Sequence, residues 1–322
     1  MLKFGVIGAA DIAYRRFLPA LKKNTSVRFI GIASRDPEKA QSFANEFGGK
    51  KYGDYEQLLS DTDIDAVYIP LPPALHYHWA KRALESGKHV LLEKPSTTNY
   101  ENTEYLVELA KTKNLTLNEN YMFLYHRQLT VIQDILNNGE IGKLRLIRAA
   151  FGFPRLANDN FRYNMELGGG ALLDCGGYPV SLAALLLGEK ISVTSSNLCY
   201  SDEFGIDLYG SVSLENTNGE VAQISFGMDN YYKCELELWG STGYIKAPRI
   251  FTAPPDYDAP IIVETSGNSK TLTVMDDQFL NSIEIFCQAV NNAEMRERFY
   301  LQILRQIKII NEIKAYAKNI FN

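Results

Sequence analysis

The sequence predicts an α/β protein: an N-terminal Rossmann domain built on a doubly wound parallel sheet, then a C-terminal α+β domain with a large, mostly antiparallel, open sheet. Three observations lead there. Through residues 1–121, short apolar runs alternate with segments of helical period. A small-residue turn, GVIGAADIA, follows the first run and opens the first helical segment. After residue 122 the strand-like segments lengthen and follow one another with few helices between. Alternation of the first kind gives parallel strands with crossover helices, and adjacency of the second kind gives antiparallel pairing.

The elements follow in order. KFGVIG (residues 3–8) is an apolar run ending at glycine, and from Asp11 the residues Ile12, Phe17, Leu18 and Leu21 are spaced for one buried helical face. VRFIGIAS (27–34) is rich in β-branched residues, and Asp36-Pro37-Glu38 reads as a helix start with aspartate as cap. AVYIPL (66–71) and HVLLEKP (89–95) are further strands, with a helix over 75–86 ending at Gly87 between them. A helix over 100–113 and LTLNENY (115–121) complete the first domain. Residues 122–322 form the second, for substrate binding and self-association. It begins with a helix over 128–138, and then carries the strands KLRLIRAAFGF, KISVTSSNLCY, DLYGSVSLE, EVAQISFGM, KCELELWGS and GYIKAP. A helix over 170–187 interrupts them, and helices over 278–291 and 296–319 close the chain. A large sheet with so few helices is expected to leave an apolar face uncovered, which predicts a homodimer or homotetramer.

Composition removes several classes of function. The chain has 322 residues, 33 basic and 38 acidic, for a net charge of −5, and no strongly basic stretch. A nucleic-acid surface is therefore not expected. No leader pattern opens the sequence, and no apolar run approaches the roughly 18 residues of a membrane span, so no membrane partner is expected. Cys175, Cys199, Cys234 and Cys287 form no CxxC pair and fit no zinc spacing. They read as packed thiols in a reducing compartment, which predicts a cytoplasmic protein. His76 and His78 lack a carboxylate or cysteine at ligand spacing, so no metal is expected.

The turn after the first strand is a Gly-x-Ala-x-x-Ala form of the dinucleotide fingerprint. Gly8 permits the tight turn, Ala10 lets backbone amides approach a pyrophosphate, and Ala13 allows close helix–strand packing. The helix start at Asp11 and Ile12 then faces the negative charge. The second strand ends Ser34-Arg35 where an NAD enzyme usually has an acid. A hydroxyl followed by a guanidinium suits a 2′-phosphate, so NADP(H) is the expected cofactor and NAD(H) the alternative.

Two further segments carry chemistry. Glu93-Lys94-Pro95 ends a strand at the edge where ligands bind in doubly wound sheets. GGGALLDCGGYPVSL (168–182) places Asp174 and Tyr178 four residues apart, on one helical face. Gly176 and Gly177 stand between them, where a helix tolerates glycine only at a cost, and a bare backbone beside a ligand is expected there.

Together with the block LPPALHYHWAKRALESGKHVLLEKP and NENYMFLYH, these motifs resemble the glucose-fructose oxidoreductase / inositol dehydrogenase / rhizopine-catabolism (Gfo/Idh/MocA) family across nearly the whole chain. The resemblance implies that Lys94 contacts the nicotinamide ribose and the substrate. It implies that Asp174 and position 178 are catalytic, with Tyr178 replacing the family's usual histidine. It places Leu71, Pro72, His76, Glu93 and Asn120 around the cofactor, and Arg162 beside cofactor or substrate. ADIAYRRFLPAL and ELWGSTGYIKAPRIFTAPPD resemble sugar 3-ketoreductases that act on nucleotide-linked deoxysugars. The implied reaction is hydride transfer to or from a sugar carbon, with Tyr178 donating a proton and Lys94 favouring its phenolate. Arg155, Arg162, Tyr163, Tyr231, Tyr232 and Lys233 are candidates to meet the nucleotide. A dehydrogenase of free aldoses or diols, and a non-catalytic NADP-binding sensor, are the competing readings.

Overall fold

The structure, a computed structural model, describes residues 1–321, and side chains through Ala317. It divides into two compact units, Met1–Met122 with Phe279–Ile307 and Phe123–Gln278 with Lys308–Asn322.

The first unit is built on β1 (Leu2–Ile7), β2 (Val27–Ala33), β3 (Lys50–Tyr52), β4 (Ala66–Ile69), β5 (His89–Leu92) and β6 (Leu117–Glu119). Their order is β3-β2-β1-β4-β5-β6 and every pairing is parallel. The strands are nearly all buried, which is why they read as continuous apolar runs. Between them run α1 (Leu18–Lys23), α2 (Pro37–Phe47), α3 (Tyr55–Ser60), α4 (Pro73–Glu85) and α5 (Tyr100–Thr112). Side chains start three of these helices. Asp36 accepts from the amides of Glu38 and Lys39, Asp54 from Gln57, and Asn99 from Asn102.

The second unit begins with α6 (Arg127–Asn137), β7 (Leu144–Gly152) and α7 (Gly177–Leu187). It continues through β8 (Ile191–Tyr200), β9 (Asp207–Asn216), β10 (Val221–Gly227), β11 (Lys233–Gly240), β12 (Gly243–Ala247), β13 (Ala259–Thr265) and β14 (Asn268–Val274). After α8 (Gln278–Val290) and α9 (Ala293–Tyr316), β15 (Ala317–Phe321) pairs with β8. The nine-stranded order is β14-β13-β12-β11-β7-β10-β9-β8-β15, antiparallel except for β7 with β10 and β8 with β15.

The structure departs from the sequence reading at five places. First, residues 279–307 join the first unit rather than the second. The reason is packing: Phe286 lies 5.7 Å from Phe4, Tyr300 and Ile303 enter the first unit's core, and the Tyr300 hydroxyl donates to the Leu115 carbonyl. Second, the last helix stops at Tyr316, because residues 317–321 extend the sheet instead; Asn322 lies outside the described residues. Third, the hairpin β13–β14 adds two strands to the six singled out. Fourth, the uncovered sheet face is not apolar. Alternation buries Ile147, Phe151, Ile224, Phe226, Leu236 and Leu238, and turns out Arg148, Gln223, Ser225, Glu235 and Glu237 with the aromatics Tyr209, Trp239 and Tyr244. Fifth, one stretch, Met165–Leu187, is long and apolar enough to cross a membrane. It is mostly buried inside its unit, and α7 within it packs on β7, β9 and β10 as a core helix.

Candidate active site

Gly8 ends β1 with φ +108°, a conformation that favours glycine, and a Cβ there would lie 2.6 Å from the Leu71 side chain. Its amide donates to the Ala33 carbonyl, tying the end of β1 to the end of β2. The chain then enters a π-turn, Ala13–Phe17, with no side-chain cap at its start. Ala13 is fully buried, and the Phe17 ring stacks on Tyr68 at 3.8 Å. At the end of β2, the Ser34 hydroxyl accepts from the Asp36 amide, and Arg35 is exposed beside the Tyr55 phenol. Asp36 is committed to capping α2, as the sequence suggested.

The ends of β4, β5 and β6 hold a buried polar network. Glu93 accepts at Oε1 from the Tyr68 hydroxyl at 2.6 Å and from Asn120 Nδ2 at 2.8 Å. Asn120 Oδ1 in turn accepts from the Ser282 hydroxyl at 2.7 Å. Glu119 accepts from the Ser96 amide at 2.6 Å. Burial raises the pKa of both carboxyls, Glu119 to about 8; the Lys94 charge opposes the shift at each, and at Glu119 the Glu93 carboxylate adds to it. Lys94 is half-buried, and the Lys94–Pro95 peptide is cis.

His76, expected to line the nicotinamide pocket, is fully buried. Its Nδ1 and Nε2 lie 2.7 Å from the carbonyls of Pro95 and Leu71 respectively. It ties the loop after β4 to the loop after β5, and burial pushes its pKa down to about 4. A neutral ring donates to only one of the two carbonyls. Gly8, Ala10, Asp11, Ile12, Ser34, Arg35, Leu71, Pro72, Glu93, Lys94 and Asn120 thus all follow or end strands at the carboxyl edge of one parallel sheet, with His76 behind them. The sequence reading missed Tyr68, Glu119 and Ser282. An acid at the end of the strand that runs into Asn120 was a usable signal for Glu119; nothing local pointed to Ser282.

In the second unit, Asn160 caps a short 3-10 turn, accepting from the Arg162 amide. Arg162 Nε donates to Asp174 Oδ2 at 2.7 Å, and its guanidinium lies 4.6 Å over the Phe161 ring. Burial works against the Arg162 charge, but Asp174 and then Tyr178 offset it and raise its pKa. Tyr178 is 6% exposed, and its ring is 5.0–5.9 Å from those of Phe123, Phe151 and Phe251. The phenol thus sits among aromatic rings within electrostatic reach of the Arg162 guanidinium. Asp174 lies in a second π-turn, Leu172–Gly176, which meets α7 directly, so the helix over 170–187 is not regular. Gly176 is bare for a different reason than expected: a Cβ there would lie 3.0 Å from the Phe226 ring. Cys175 is buried and its thiol donates to the Ala171 carbonyl. Among the described residues no group of three metal-ligating side chains comes together.

The pattern of an oxidoreductase family with an NAD-binding Rossmann fold, Gfo/Idh/MocA, matches residues 2–121, and that family's C-terminal domain matches residues 130–246. A dTDP-3,4-didehydro-2,6-dideoxy-α-D-glucose 3-reductase of Saccharopolyspora spinosa is 43% identical over 90% of this chain and 87% of its own length. The chain belongs to the Gfo/Idh/MocA oxidoreductase family. Another member, a 3-ketoreductase of Actinomadura kijaniata solved with NADP and TDP-benzene, has a TM-score of 0.97, is 38% identical, and matches over 100% of this chain and 99% of its own. Variants of that reductase with one tyrosine changed to phenylalanine, or one lysine changed to alanine or glutamate, have been solved with the same two molecules. A D-xylose 1-dehydrogenase (NADP(+)) of Haloferax volcanii is 32% identical over 91% of this chain and 90% of its own. Members of this family are oxidoreductases, and so is this enzyme.

The buried Glu119 predicts a pH dependence of stability. Its folded pKa of about 8 exceeds the ordinary 4.5, so its favourable contribution is complete below 4.5 and is lost as pH rises through 8. Glu119→Gln keeps an acceptor for the Ser96 amide and cannot ionise. Urea unfolding at pH 5 and at pH 8 should show the wild type losing more stability than this variant across that interval; equal losses contradict the assignment.

Proposed function

We propose that this enzyme uses NADPH to reduce a keto group at carbon 3 of a nucleotide-linked deoxyhexose. The single observation that carries this reading is likeness along the whole chain to a 3-ketoreductase solved with NADP and TDP-benzene. The first unit fits a dinucleotide. Gly8 turns the chain with no side chain of its own in the way, and the helix that follows from Asp11 directs its N-terminus to the same edge, where a pyrophosphate would be favoured. Ser34 and Arg35, just past the end of β2, would meet a 2′-phosphate with a hydroxyl and a guanidinium.

When bound, the nicotinamide supplies the hydride that reduces the keto carbon. Tyr178 donates the proton to the oxygen as the alcohol forms. Its ordinary pKa, about 10, is too high for efficient transfer near neutrality, and the Arg162 charge within electrostatic reach favours the phenolate. Asp174 holds Arg162 in place by their 2.7 Å contact. The lysine and tyrosine substituted in the Actinomadura reductase are separated by the same number of residues as Lys94 and Tyr178. Likeness to the xylose dehydrogenase supports a second reading, oxidation of a free aldose with NADP. The deciding assay compares NADPH consumption on a 3-keto dTDP-sugar with NADP reduction on xylose, glucose and simple diols. Turnover of the dTDP-linked ketone is expected; activity confined to the free sugars replaces the first reading with the second.

Two substitutions test the roles. Arg35→Ala removes a charge-assisted contact to the 2′-phosphate and should raise the KM for NADPH by about 10–100-fold more than that for NADH; equal shifts, or a wild-type preference for NADH, refute the role. Tyr178→Phe should lower kcat by about 10²–10⁴-fold with NADPH affinity nearly unchanged. If most activity survives, the proton comes from Lys94 or a water, and the role given to Tyr178 is overturned.

A further inference from the structure

The helix that bears Asp174 and Tyr178 is fastened at its start by a residue distant in sequence. Asp207, first in β9, is 9% exposed, and its Oδ2 accepts from the Leu172 amide at 2.6 Å. Leu172 opens the π-turn, and the residue before it offers no side-chain cap, so this amide depends on an outside acceptor. The other carboxylate oxygen lies against Gly170, where a Cβ would come within 2.5 Å of it; Gly170 has φ +119°. Gly170 in turn donates its amide to the Arg162 carbonyl and accepts from the Asp174 amide, both at 3.0 Å. One carboxylate is therefore bonded to the turn that bears Asp174 and packed on the residue that ties in Arg162.

We propose that Asp207 is a positioning residue, whose ionised carboxylate holds the start of this helix and thereby the Arg162–Asp174–Tyr178 arrangement, and whose protonation releases it. The groups that face it are the Leu172 amide, Lys314 from α9 and the Tyr200 phenol from β8. Burial raises the Asp207 pKa to about 6, against the opposing pull of the Leu172 amide and Lys314. The anion is thus present at neutral pH and is lost as pH falls through 6, so kcat should fall on that side.

The effect on turnover rests on Tyr178 acting as proton donor, and the experiment separates the two ideas. Amide hydrogen exchange of residues 171–177, corrected for intrinsic rate, reads the helix directly, and kcat against pH reads the chemistry. Asp207→Asn should speed that exchange at pH 7.5 by about tenfold, the scale of one lost cap. It should also lower kcat at pH 7.5 by a similar factor without changing the KM for NADPH, and flatten the acid limb. Unchanged exchange, with the limb in its wild-type place, overturns the proposal. Faster exchange with unchanged kcat keeps Asp207 as the fastener and overturns the reading of Tyr178. If Asp207→Asn does not fold, Lys314→Met decides: removing the cation should move the acid limb to higher pH, and an unmoved limb overturns the proposal.

Discussion

Parallel pairing of β1 with β2 on one side and β4 on the other makes every strand of the first sheet end at the same edge. Residues that sequence scatters from Gly8 to Asn120 therefore arrive along one line, each a few positions past a strand. The arrangement carries a cost. Strand ends buried on both sides have little water, so a carboxyl placed there must find donors inside the protein. Glu93 finds Tyr68 and Asn120, and Asn120 is held by Ser282 from a helix far along the chain. The return of residues 279–307 to the first unit is thus part of how the Lys94 loop is kept in place.

The second unit solves a different problem. Its sheet alternates, apolar inward and mostly polar outward apart from aromatics such as Trp239, and a helix with hardly a polar residue fills the inner face. Into that apolar layer the fold inserts Arg162, Asp174 and Tyr178. The two charges partner each other there across 2.7 Å, and the phenol held among aromatic rings lies within reach of the guanidinium.

Much of this was legible from local pattern. The strand–turn–helix at Gly8, the Asp36 cap and the strand bearing Lys94 depend on neighbours within a few residues, and the sequence states them. Contacts between distant segments were not legible. Family likeness implies His76 as a pocket residue; that both its nitrogens meet carbonyls depends on Pro95 folding back beside Leu71. Gly176 looked like room for a ligand, yet the room is taken by Phe226, fifty residues on. The sheet was expected to leave an apolar face uncovered, and only the alternation of burial along each strand shows that most of its Val, Ile and Leu side chains point inward. Family likeness conveyed Asp174 and Arg162 as separate site residues, but not their ion pair.

Each unit contains a π-turn beside its candidate site, Ala13–Phe17 after the first strand and Leu172–Gly176 ahead of α7. A π-turn is a helix with one residue more than its regular repeat accommodates. Each residue of a regular helix advances the chain by about 100° around its axis. The fold therefore measures these two segments in phase rather than in length. A single-residue deletion in either could leave a well-formed helix, yet swing Phe17 off Tyr68, or swing Asp174 away from Arg162. Gaps that would be harmless in most helices are, at these two places, rotations of the machinery itself.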